Sequence, residues 1–312
     1  MKIIFFGTSP FAAKILKFLL DHHKNIVAVV TRTDKPQGRS LKMGMPPVKE
    51  LAQQYPHIPI LQPAKASTPE FAAQLQTYNA DLFIVAAYGE ILKQEILNIP
   101  KYGAINVHGS LLPKYRGAAP IQRCLMNGDP KTGITIIQMV LEMDAGDVLE
   151  KAEISITPEM TYGTLEEKLA DISGPVLLKV LEKIQKGALH PTPQNSDEVT
   201  FSPKILPHET QIIFNLPASA VHNQIRALAP APGAWCYVQV GSDQKRLKIK
   251  QSEIATGLQG YPGENLVFNE KEWIVGCATG ALRLIEVQLE GKKSIPIQEF
   301  LRGCSEPLKI LV

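Results

Sequence analysis

Apolar residues in the first half of the chain form two kinds of pattern that follow each other in turn. Short continuous runs, such as Ile3 to Phe6 and Leu82 to Ala86, are typical of fully buried strands. Between them, apolar positions recur at helical spacing, as at Phe11, Ile15 and Phe18. This alternation predicts an α/β fold with a mostly parallel sheet and helices on both faces. Further strands are expected at residues 26–30, 104–108, 133–140 and 148–156, and further helices at 70–76, 90–97, 118–126 and 165–184.

The pattern changes after residue 187. Pro191, Pro193, Pro203 and Pro207 mix with polar residues there, which is the composition of a linker. Beyond it, short strand-like runs separated by turn residues predict a small β-barrel. The expected organisation is therefore a first domain at 1–187, a linker at 188–207 and a C-terminal domain at 208–312. In that last domain one helix is expected at 218–228 and strands at 235–240, 246–250, 273–278 and 282–287.

Composition limits the class of protein. A chain of 312 residues with 45% hydrophobic residues is large enough for two globular domains. No apolar run approaches the length of a membrane span, and the first one is too short for a secretion signal, so we expect a soluble protein with no membrane partner. Four dispersed cysteines without metal-ligand spacing indicate a reduced, cytoplasmic compartment and no metal site. The chain is expected to be monomeric.

Net charge is only +3, so the overall charge does not indicate a nucleic-acid partner. Local charge is more informative. Between Arg32 and Lys49 there are five basic residues and one acidic residue among glycines and prolines, which predicts an exposed basic loop. From Arg246 to Lys250 basic and aliphatic residues alternate, which places Arg246, Lys248 and Lys250 on one face of a strand. On charge alone, both segments can also be ordinary solvated surface.

Asn106 and His108 are the first candidates for chemistry. They lie two residues apart on a predicted strand, so their side chains point to the same face. In an open α/β sheet ligands bind beyond the carboxyl ends of the strands, and His108 lies at such an end. An amide and an imidazole aimed at one point can stabilise an oxyanion and move a proton. Considered alone, the same pair can also be a turn-capping asparagine and a structural histidine.

The residues around this pair belong to a wider pattern. Residues 106–122 read NVHGSLLPKYRGAAPIQ, which resembles the signature loop of the folate-dependent formyltransferases. Matches at residues 7–12 (GTSPFA), 86–89 (AAYG), 291–293 (GKK) and 300–303 (FLRG) extend the resemblance along the whole chain. They make it similar in particular to the members that act on methionyl-tRNA. This resemblance implies a Rossmann-like first domain and an oligonucleotide-binding-like (OB-like) barrel at the C-terminus.

The resemblance also implies the site. Asn106, His108 and Asp144 would be the catalytic trio, with Asp144 preferred over the nearby Asp147 because of its place before the Gly-Asp pair. The implied co-substrate is 10-formyltetrahydrofolate, without metal or NAD. A single glycine follows the first strand, where a dinucleotide fingerprint needs three. Residues implied to contact folate are Ser110, Leu111, Leu112, Pro113, Ala86, Ala87 and Tyr88, although residues 110–113 alone could be just a rigid turn.

The implied acceptor is initiator methionyl-tRNA. In the similar enzymes the loop that corresponds to the basic segment enters the acceptor stem, and Arg39 matches the arginine that carries recognition. Neighbouring and C-terminal basic residues would contact the RNA backbone: Lys35, Lys42, Arg246, Lys248 and Lys250. The chain departs from the family pattern at residues 229–233 (APAPG), where an NPWPG run is usual, so a stacking role there is in doubt.

The expected reaction is therefore transfer of the formyl group from 10-formyltetrahydrofolate to the α-amino group of methionine on initiator tRNA, for translation initiation. One alternative is a formyltransferase acting on a glycinamide nucleotide or an amino sugar, because those enzymes share the trio. They do not account for the basic loop or the β-rich C-terminal domain. A second alternative is a nucleic-acid-binding protein in which the trio is only structural. That alternative needs the whole set of motifs to coincide by chance.

Overall fold

The computed structural model describes residues 1–37, 42–304 and 306–312. They form two compact units. The first consists of Met1–Pro120, Thr132–Ile154 and Glu166–Ser202, and the second of Ile121–Lys131, Ser155–Leu165 and Pro203–Val312. The domain boundaries inferred from the sequence, 1–187 and 208–312 with a linker between, stay a proposal. Among the described residues no helix is long and apolar enough to cross a membrane.

Strands are numbered along the chain. The first nine are β1 (Lys2–Gly7), β2 (Asn25–Val30), β3 (Lys35–Gln37), β4 (Lys42–Gly44), β5 (Ile60–Leu61), β6 (Leu82–Ala86), β7 (Ala104–His108), β8 (Lys131–Gln138) and β9 (Val148–Ser155). Seven of them form one sheet in the order β5-β2-β1-β6-β7-β8-β9. The pairs from β5 to β7 are parallel, and β8 runs antiparallel to β7. The predicted Rossmann-like, mostly parallel sheet is confirmed.

The helices are α1 (Pro10–Asp21), α2 (Pro47–Ala52), α3 (Pro69–Gln76), α4 (Gln94–Leu97), α5 (Pro120–Asn127), α6 (Tyr162–Gln185), α7 (Ala218–Leu228) and α8 (Ile297–Arg302). Helix α1 shows how local sequence sets a boundary. Ser9 caps it by accepting a hydrogen bond from the amide of Ala12, and Pro10 occupies the first turn. The helix predicted at 90–97 is shorter, because only residues 94–97 are helical.

The basic segment at residues 32–49 differs from the prediction of a loop. Strands β3 and β4 pair in an antiparallel hairpin, with Lys35 opposite Gly44, and helix α2 then begins at Pro47. Lys49 lies in that helix and forms an ion pair with Asp34, with 2.7 Å between Nζ and Oδ2. The prediction was wrong for this part because proline and glycine mark turns but do not show whether the flanking residues pair.

Seven further strands form an antiparallel sheet in the second unit: β10 (Ala234–Val240), β11 (Asp243–Ala255), β12 (Asn265–Phe268), β13 (Trp273–Gly276), β14 (Ala281–Leu289), β15 (Ile295–Pro296) and β16 (Lys309–Leu311). Asn265 links the two ends of this sheet. Its Nδ2 donates to the carbonyl of Leu308, and its Oδ1 accepts from the buried indole of Trp273. Strand β12, at one end of the sheet, thus contacts the residue that precedes β16, at the other end. The predicted small β-barrel is confirmed.

Candidate active site

Asn106 and His108 lie where two central strands end. Strands β6 and β7 are parallel neighbours, with Val85 opposite Asn106, so their carboxyl ends lie at the same edge of the sheet. Val107 is buried between the two polar residues, whereas Asn106 is partly exposed. The imidazole of His108 is 95% buried, because its residue is only 5% exposed. The strand therefore delivers both side chains to the edge where ligands bind in open α/β sheets.

The carboxylate of Asp144 contacts both side chains. Asp144 lies in a turn, 38 residues after Asn106 and 36 residues after His108. Its Oδ1 accepts a hydrogen bond from Asn106 Nδ2 at 3.3 Å. Its Oδ2 lies 3.5 Å from His108 Nδ1 and accepts from the amide of Gly117 at 2.9 Å. The structure thus brings the predicted trio together, and the Gly117 amide is a contact that the sequence did not reveal.

The ring of His108 is oriented by a backbone carbonyl. Its Nε2 lies 2.9 Å from the carbonyl oxygen of Tyr115. A carbonyl can only accept, so Nε2 carries the hydrogen and Nδ1 is the nitrogen that faces Asp144. Ser202 donates its hydroxyl to the same carbonyl at 2.9 Å, which holds the acceptor in place. Nδ1 is therefore the atom of His108 that can exchange a proton at this site.

The turn that carries Asp144 has an unusual backbone. Asp144 has a φ of 51°, in the left-handed region that costs about 1 kcal/mol or more for residues other than glycine. Two residues later, a Cβ on Gly146 would overlap the carbonyl oxygen of Gln138, so only glycine fits there. The turn is closed by Gln138, whose amide donates to the carbonyl of Asp147 at 2.9 Å. The Asp144 carboxylate thus sits on a turn that other segments must hold in place.

Gln194 supplies part of that support. Its Nε2 donates to the carbonyl of Asp144 at 2.7 Å and to the carbonyl of Gly146 at 2.8 Å. Its Oε1 accepts from Nε and Nη2 of the buried Arg116, at 3.1 and 3.0 Å. Arg116 belongs to the motif at 106–122, but Gln194 lies in the proline-rich segment that the sequence indicated as a linker. No sequence signal pointed to it.

Much of that segment is attached to the first unit. Residue Thr192 pairs with Val148, and Phe201 forms a parallel bridge with Arg116. The hydroxyl of Thr200 accepts from the amide of Tyr115 at 2.9 Å. The residues between 192 and 202 therefore form one wall of the region around His108 and Asp144.

Residues 110–113, expected at the folate site, are held firmly by the protein itself. Ser110 donates its hydroxyl to the carbonyl of Lys114 at 2.6 Å. Thr135 bridges the segment, since its hydroxyl donates to the Ser110 carbonyl and accepts from the amide of Leu112. Leu112 is only 1% exposed, so its side chain belongs to the core, whereas Leu111 is partly exposed. A ligand can meet Leu111 here, but not Leu112, and Ser110 and Pro113 are buried as well.

The other expected folate segment follows strand β6. Ala86 is buried, and Ala87 is exposed with a φ of 42°. The carbonyl of Tyr88 accepts from the hydroxyl of Thr8 at 2.8 Å, which ties this segment to the end of β1. The Tyr88 hydroxyl is buried without a hydrogen-bond partner among the described residues, and burial raises the pKa of this group.

Exposed apolar side chains flank the trio in sequence. Val140, Leu141 and Met143, in the loop just before Asp144, are all exposed, and Met143 keeps 60% of its surface. Ile91, three residues after Tyr88, is 75% exposed. Apolar groups beside a few convergent polar groups are typical of small-molecule sites. Sequence patterns did not single out these four residues, because isolated exposed apolar residues are common.

The expected tRNA-binding residues of the hairpin are only partly described. Lys35 begins strand β3 and is exposed, and the backbone of Lys42 begins strand β4. Arg39 lies outside the described residues.

On strand β11 the predicted alternation is present, with Leu247 and Ile249 buried and the basic residues on the other face. The guanidinium of Arg246 lies over the ring of Trp235, 4.4 Å from its centroid. The two lysines instead contact the proline-rich loop at residues 229–233. Lys248 Nζ donates to the carbonyl of Pro232 at 2.7 Å, and Lys250 Nζ donates to that of Pro230 at 2.5 Å. Burial, followed by repulsion from Lys248, lowers the pKa of Lys250.

No three histidine, cysteine, aspartate or glutamate side chains of the described residues converge in a way that could hold a metal ion. The four cysteines all lie in the described part of the chain and form no disulfide. Burial raises the pKa of Cys236 to about 12 and that of Cys277 to about 11, so both are kept as thiols.

Comparison with known proteins covers nearly the whole chain. The family model described as "Formyl transferase" matches residues 1–181, and the model described as "Formyl transferase, C-terminal domain" matches residues 204–305. The chain is 46% identical to the methionyl-tRNA formyltransferase of Protochlamydia amoebophila over 100% of this chain and 98% of the relative. It is 47% identical to that of Chlamydia trachomatis serovar L2b, over 98% and 97% of the two chains.

Solved structures show the same fold at lower identity. The N-formyltransferase of Helicobacter canadensis in complex with folinic acid and dTDP-3-aminofucose is similar with a TM-score of 0.68 and 20% identity, over 91% of this chain and 98% of that one. The methionyl-tRNA formyltransferase of Clostridium thermocellum has a TM-score of 0.56 and 18% identity, over 83% and 95%.

Proposed function

The chain belongs to the formyltransferase family, among the methionyl-tRNA formyltransferases, and we propose that Asn106, His108 and Asp144 carry its chemistry with 10-formyltetrahydrofolate as the formyl donor. Its activity is transfer of a one-carbon group to methionyl-tRNA, with folate as co-substrate. The 10-formyl form, the initiator tRNA as acceptor and the role of each residue are parts of the proposal.

One observation carries the assignment of roles. Asn106 and His108 leave the end of a central strand and both meet the carboxylate of Asp144, which comes from a separate turn. A histidine with a purely structural role needs only hydrogen-bond partners for its two ring nitrogens. His108 instead faces the same carboxylate as the partly exposed side-chain amide of Asn106. The arrangement supports a site in which an amide donor and a proton carrier act on neighbouring atoms of one reacting group.

The residues present fit a folate. Flat apolar rings need apolar surface and a few backbone groups. Leu141 and Met143, in the loop before Asp144, and Ile91, after Tyr88, offer exposed apolar side chains. Ala87 is exposed at the end of β6, where its backbone can serve as a hydrogen-bonding edge. We propose that these residues hold the co-substrate together with Leu111, whose position is fixed by the buried Ser110, Leu112 and Pro113. Ala86 and Tyr88 shape the same edge from within.

The bound folate supplies a formyl carbon attached to a nitrogen, and transfer to an amine builds negative charge on the formyl oxygen. Asn106 is placed to stabilise that charge. One hydrogen of its Nδ2 is directed to Asp144, and the other has no protein partner among the described residues. A preorganised amide donor of this kind contributes on the order of a hundred- to a thousand-fold to the rate.

We propose that His108 takes the proton that the attacking amine loses and returns it to the folate nitrogen when the bond between that nitrogen and the formyl carbon breaks. Its Nε2 is fixed on the Tyr115 carbonyl, so Nδ1 accepts and releases the proton. The 3.5 Å between Nδ1 and Asp144 Oδ2 is longer than a normal hydrogen bond, which leaves a polar atom of the substrate able to compete for either partner. The carboxylate stabilises positive charge on the ring through Coulomb attraction while the ring holds the proton.

For the tRNA, we propose that the hairpin of β3 and β4 and the exposed face of β11 contribute basic contacts. Lys35, Lys42 and Arg39 are the candidates in the hairpin, with Arg39 as the main recognition residue. Arg246 is the strongest candidate on β11, because its guanidinium is stacked on Trp235 and not paired to a carboxylate in any described contact. Lys248 and Lys250 can contribute charge while they hold the proline-rich loop.

Further parts of the proposal concern the protein as a whole. We propose a cytoplasmic monomer that uses neither metal nor NAD. Four cysteines without a disulfide among them, two of them held in the protonated form by burial, suit a reducing compartment. Sedimentation equilibrium at micromolar concentration, with and without tRNA, tests whether the protein is a monomer, because a dimer would have twice the molar mass of one chain.

The decisive experiment offers the purified chain 10-formyltetrahydrofolate together with methionyl initiator tRNA, a glycinamide nucleotide or an amino sugar nucleotide. We expect formylmethionyl-tRNA as the product and no turnover of the other two acceptors. The Asp144→Asn variant is expected to lose at least about a hundred-fold in kcat, whereas Asp147→Asn, three residues away, stays near the wild type. Equal losses in the two aspartate variants would contradict the role given to Asp144.

A further inference from the structure

We propose that Gln194 is a positioning residue that sets the catalytic carboxylate of Asp144, and that Arg116 in turn positions Gln194. This inference rests on the proposed role of Asp144. It concerns a residue between the two sequence domains, in a segment whose composition indicated only a linker. The contacts around the Gln194 amide carry it.

All four hydrogen-bonding capacities of that amide are used. Its two N–H groups donate to the carbonyls of Asp144 and Gly146, at 2.7 and 2.8 Å. Its oxygen accepts two hydrogen bonds from the guanidinium of Arg116, at 3.1 and 3.0 Å. The orientation of the amide has one solution, because a flipped group would set oxygen against two carbonyls and NH₂ against a guanidinium. A fully satisfied amide between two fixed partners is a rigid connector.

The two carbonyls flank the strained part of the turn. Asp144 holds a φ of 51°, and Gly146 is packed against the Gln138 carbonyl, so the peptide units between them have few alternative conformations. By holding one carbonyl on each side, Gln194 fixes the direction in which the Asp144 side chain leaves the backbone. That direction determines the distances from the carboxylate to Asn106 Nδ2 and His108 Nδ1. Misplacement of such a group by about 1 Å can cost on the order of a hundred-fold in rate.

Arg116 completes the connection. It is 8% exposed, and its own backbone amide and carbonyl bond to Thr200 and Ser202. The guanidinium therefore presents a fixed fork to Gln194 rather than a mobile charge. Arg116 also precedes Gly117, whose amide binds the Asp144 carboxylate at 2.9 Å. One short segment thus orients Asp144 from two sides, directly through Gly117 and indirectly through Gln194.

Glutamine is required here by chemistry rather than by size. In Gln194→Glu the shape is kept and the contact with Arg116 can remain, but a carboxylate oxygen would face the two carbonyls in place of the donors. We expect this variant to lose about 10- to 100-fold in kcat while the KM values for both substrates change by less than about two-fold. Gln194→Ala, which removes the connector without adding charge, is expected to lose about as much. Gln76→Glu, at an exposed position of α3, is the matched control and should be unchanged.

A double-variant cycle separates positioning from a general loss of structure. If Gln194 acts through Asp144, then Gln194→Glu should change kcat by less than about two-fold in the Asp144→Asn background. Circular dichroism of all variants checks that the measured rates belong to folded protein. Full multiplication of the two effects, a rise in KM without a fall in kcat, or a kcat for both Gln194 variants near the wild type would each overturn the proposal. If Asp144→Asn alone kept its activity, the proposed catalytic role of Asp144 would fail instead.

Discussion

The polar side chains around Asp144 and those on the face of β11 are organised in opposite ways. Around Asp144, groups from four separate segments converge and satisfy one another: residues 106–108, 115–117, 144–146 and 194. On β11 the basic residues come from one strand and point outward by simple alternation. Their partners are an aromatic ring and the carbonyls of a proline-rich loop.

This difference separates two kinds of function. An enclosed set of hydrogen bonds fixes atoms to within a fraction of an ångström, which a transition state requires. A row of outward cations fixes only charge, which is sufficient for a phosphate backbone. Substitutions in the first region should therefore change kcat, and substitutions in the second should change affinity and its dependence on salt.

The largest effect is expected for Asn106→Ala. It removes the donor proposed for the oxyanion, so kcat should fall by about a hundred- to a thousand-fold, with little change in the KM for tRNA. Single-turnover formylation at saturating tRNA measures it. Asn25→Ala, an exposed asparagine on β2, serves as the control and should be active. A change in the KM for tRNA without a change in kcat would contradict the proposed oxyanion role. Asn106 would then act on affinity, as the outward residues of β11 are expected to do.

Gly146→Ala tests whether the enclosed region depends on its backbone. The added Cβ would overlap the Gln138 carbonyl, so the turn must shift and carry Asp144 with it. We expect kcat to fall by about a hundred-fold. Gly291→Ala is the matched control, because its φ is 78° and nothing lies within 4 Å of the added methyl group. That variant should lose about 1 kcal/mol of stability and no activity. A kcat near the wild type for Gly146→Ala, or an equal loss in both variants, would contradict this dependence on the packing of the turn.

The second unit also contains a partly buried ion pair. It tests whether the burial of polar groups, rather than the unit in which they lie, determines the effect of substituting them. Arg123 Nη1 and Nη2 lie 2.6 and 3.0 Å from the two carboxylate oxygens of Glu209. The hydrogen bond from Arg123 lowers the pKa of Glu209 to about 2. Because the pKa of Glu209 is lower in the folded protein than in the unfolded chain, the ion pair stabilises the fold at pH values above about 4.5. This stabilisation is lost as the pH falls from about 4.5 towards 2.

Glu209→Gln should therefore be less stable than the wild type by about 1–3 kcal/mol at pH 6. The difference should shrink as the pH is lowered to 3, because the wild-type pair weakens there while the variant has no carboxylate to protonate. Urea unfolding at the two pH values measures this. Formylation at pH 7 should be unchanged in folded protein. A stability difference that is constant with pH would argue against the ion pair as the cause.

The smallest effects are expected on β11. Arg246→Met should raise the KM for tRNA a few-fold and lower the slope of log affinity against log salt by about 0.7–0.9, since one phosphate contact is lost. Lys248→Met should lower the melting temperature more than Arg246→Met, because it releases the Pro232 carbonyl. Binding titrations at several salt concentrations, with melting curves, separate the two. An unchanged salt slope for Arg246→Met would remove this residue from the proposed tRNA surface.

Much of the fold could be predicted from the sequence, because its elements depend on local patterns. Strands β6 and β7 were predicted with their observed bounds, because β6 is a continuous apolar run and because Asn106 and His108 alternate with apolar residues in β7. Short elements escaped prediction: β5 has two residues, and β16 has three. Such strands are stabilised by their neighbours in the sheet, and a few residues carry too little pattern to reveal them.

The site divides in the same way. Asn106 and His108 are close in sequence, so the two-residue period of a strand sufficed to place them together. Asp144 was identified only through family resemblance, because no local pattern connects residue 144 with residue 108. For Gln194 and the Tyr115 carbonyl even resemblance gave nothing. A polar residue among prolines and a backbone oxygen have no signature of their own.

By itself, the sequence determined the alternating sheet, the barrel, the family and the pair at the end of β7, because periodicity and contiguous motifs are properties of neighbouring residues. Only the tertiary structure decided how the carboxylate of Asp144 is held. That depends on hydrogen bonds between residues far apart in sequence, such as those of Gln194 with Asp144, 50 positions apart, and of Ser202 with Tyr115, 87 positions apart. Such bonds exist only once the chain has folded and paired each buried donor with an acceptor.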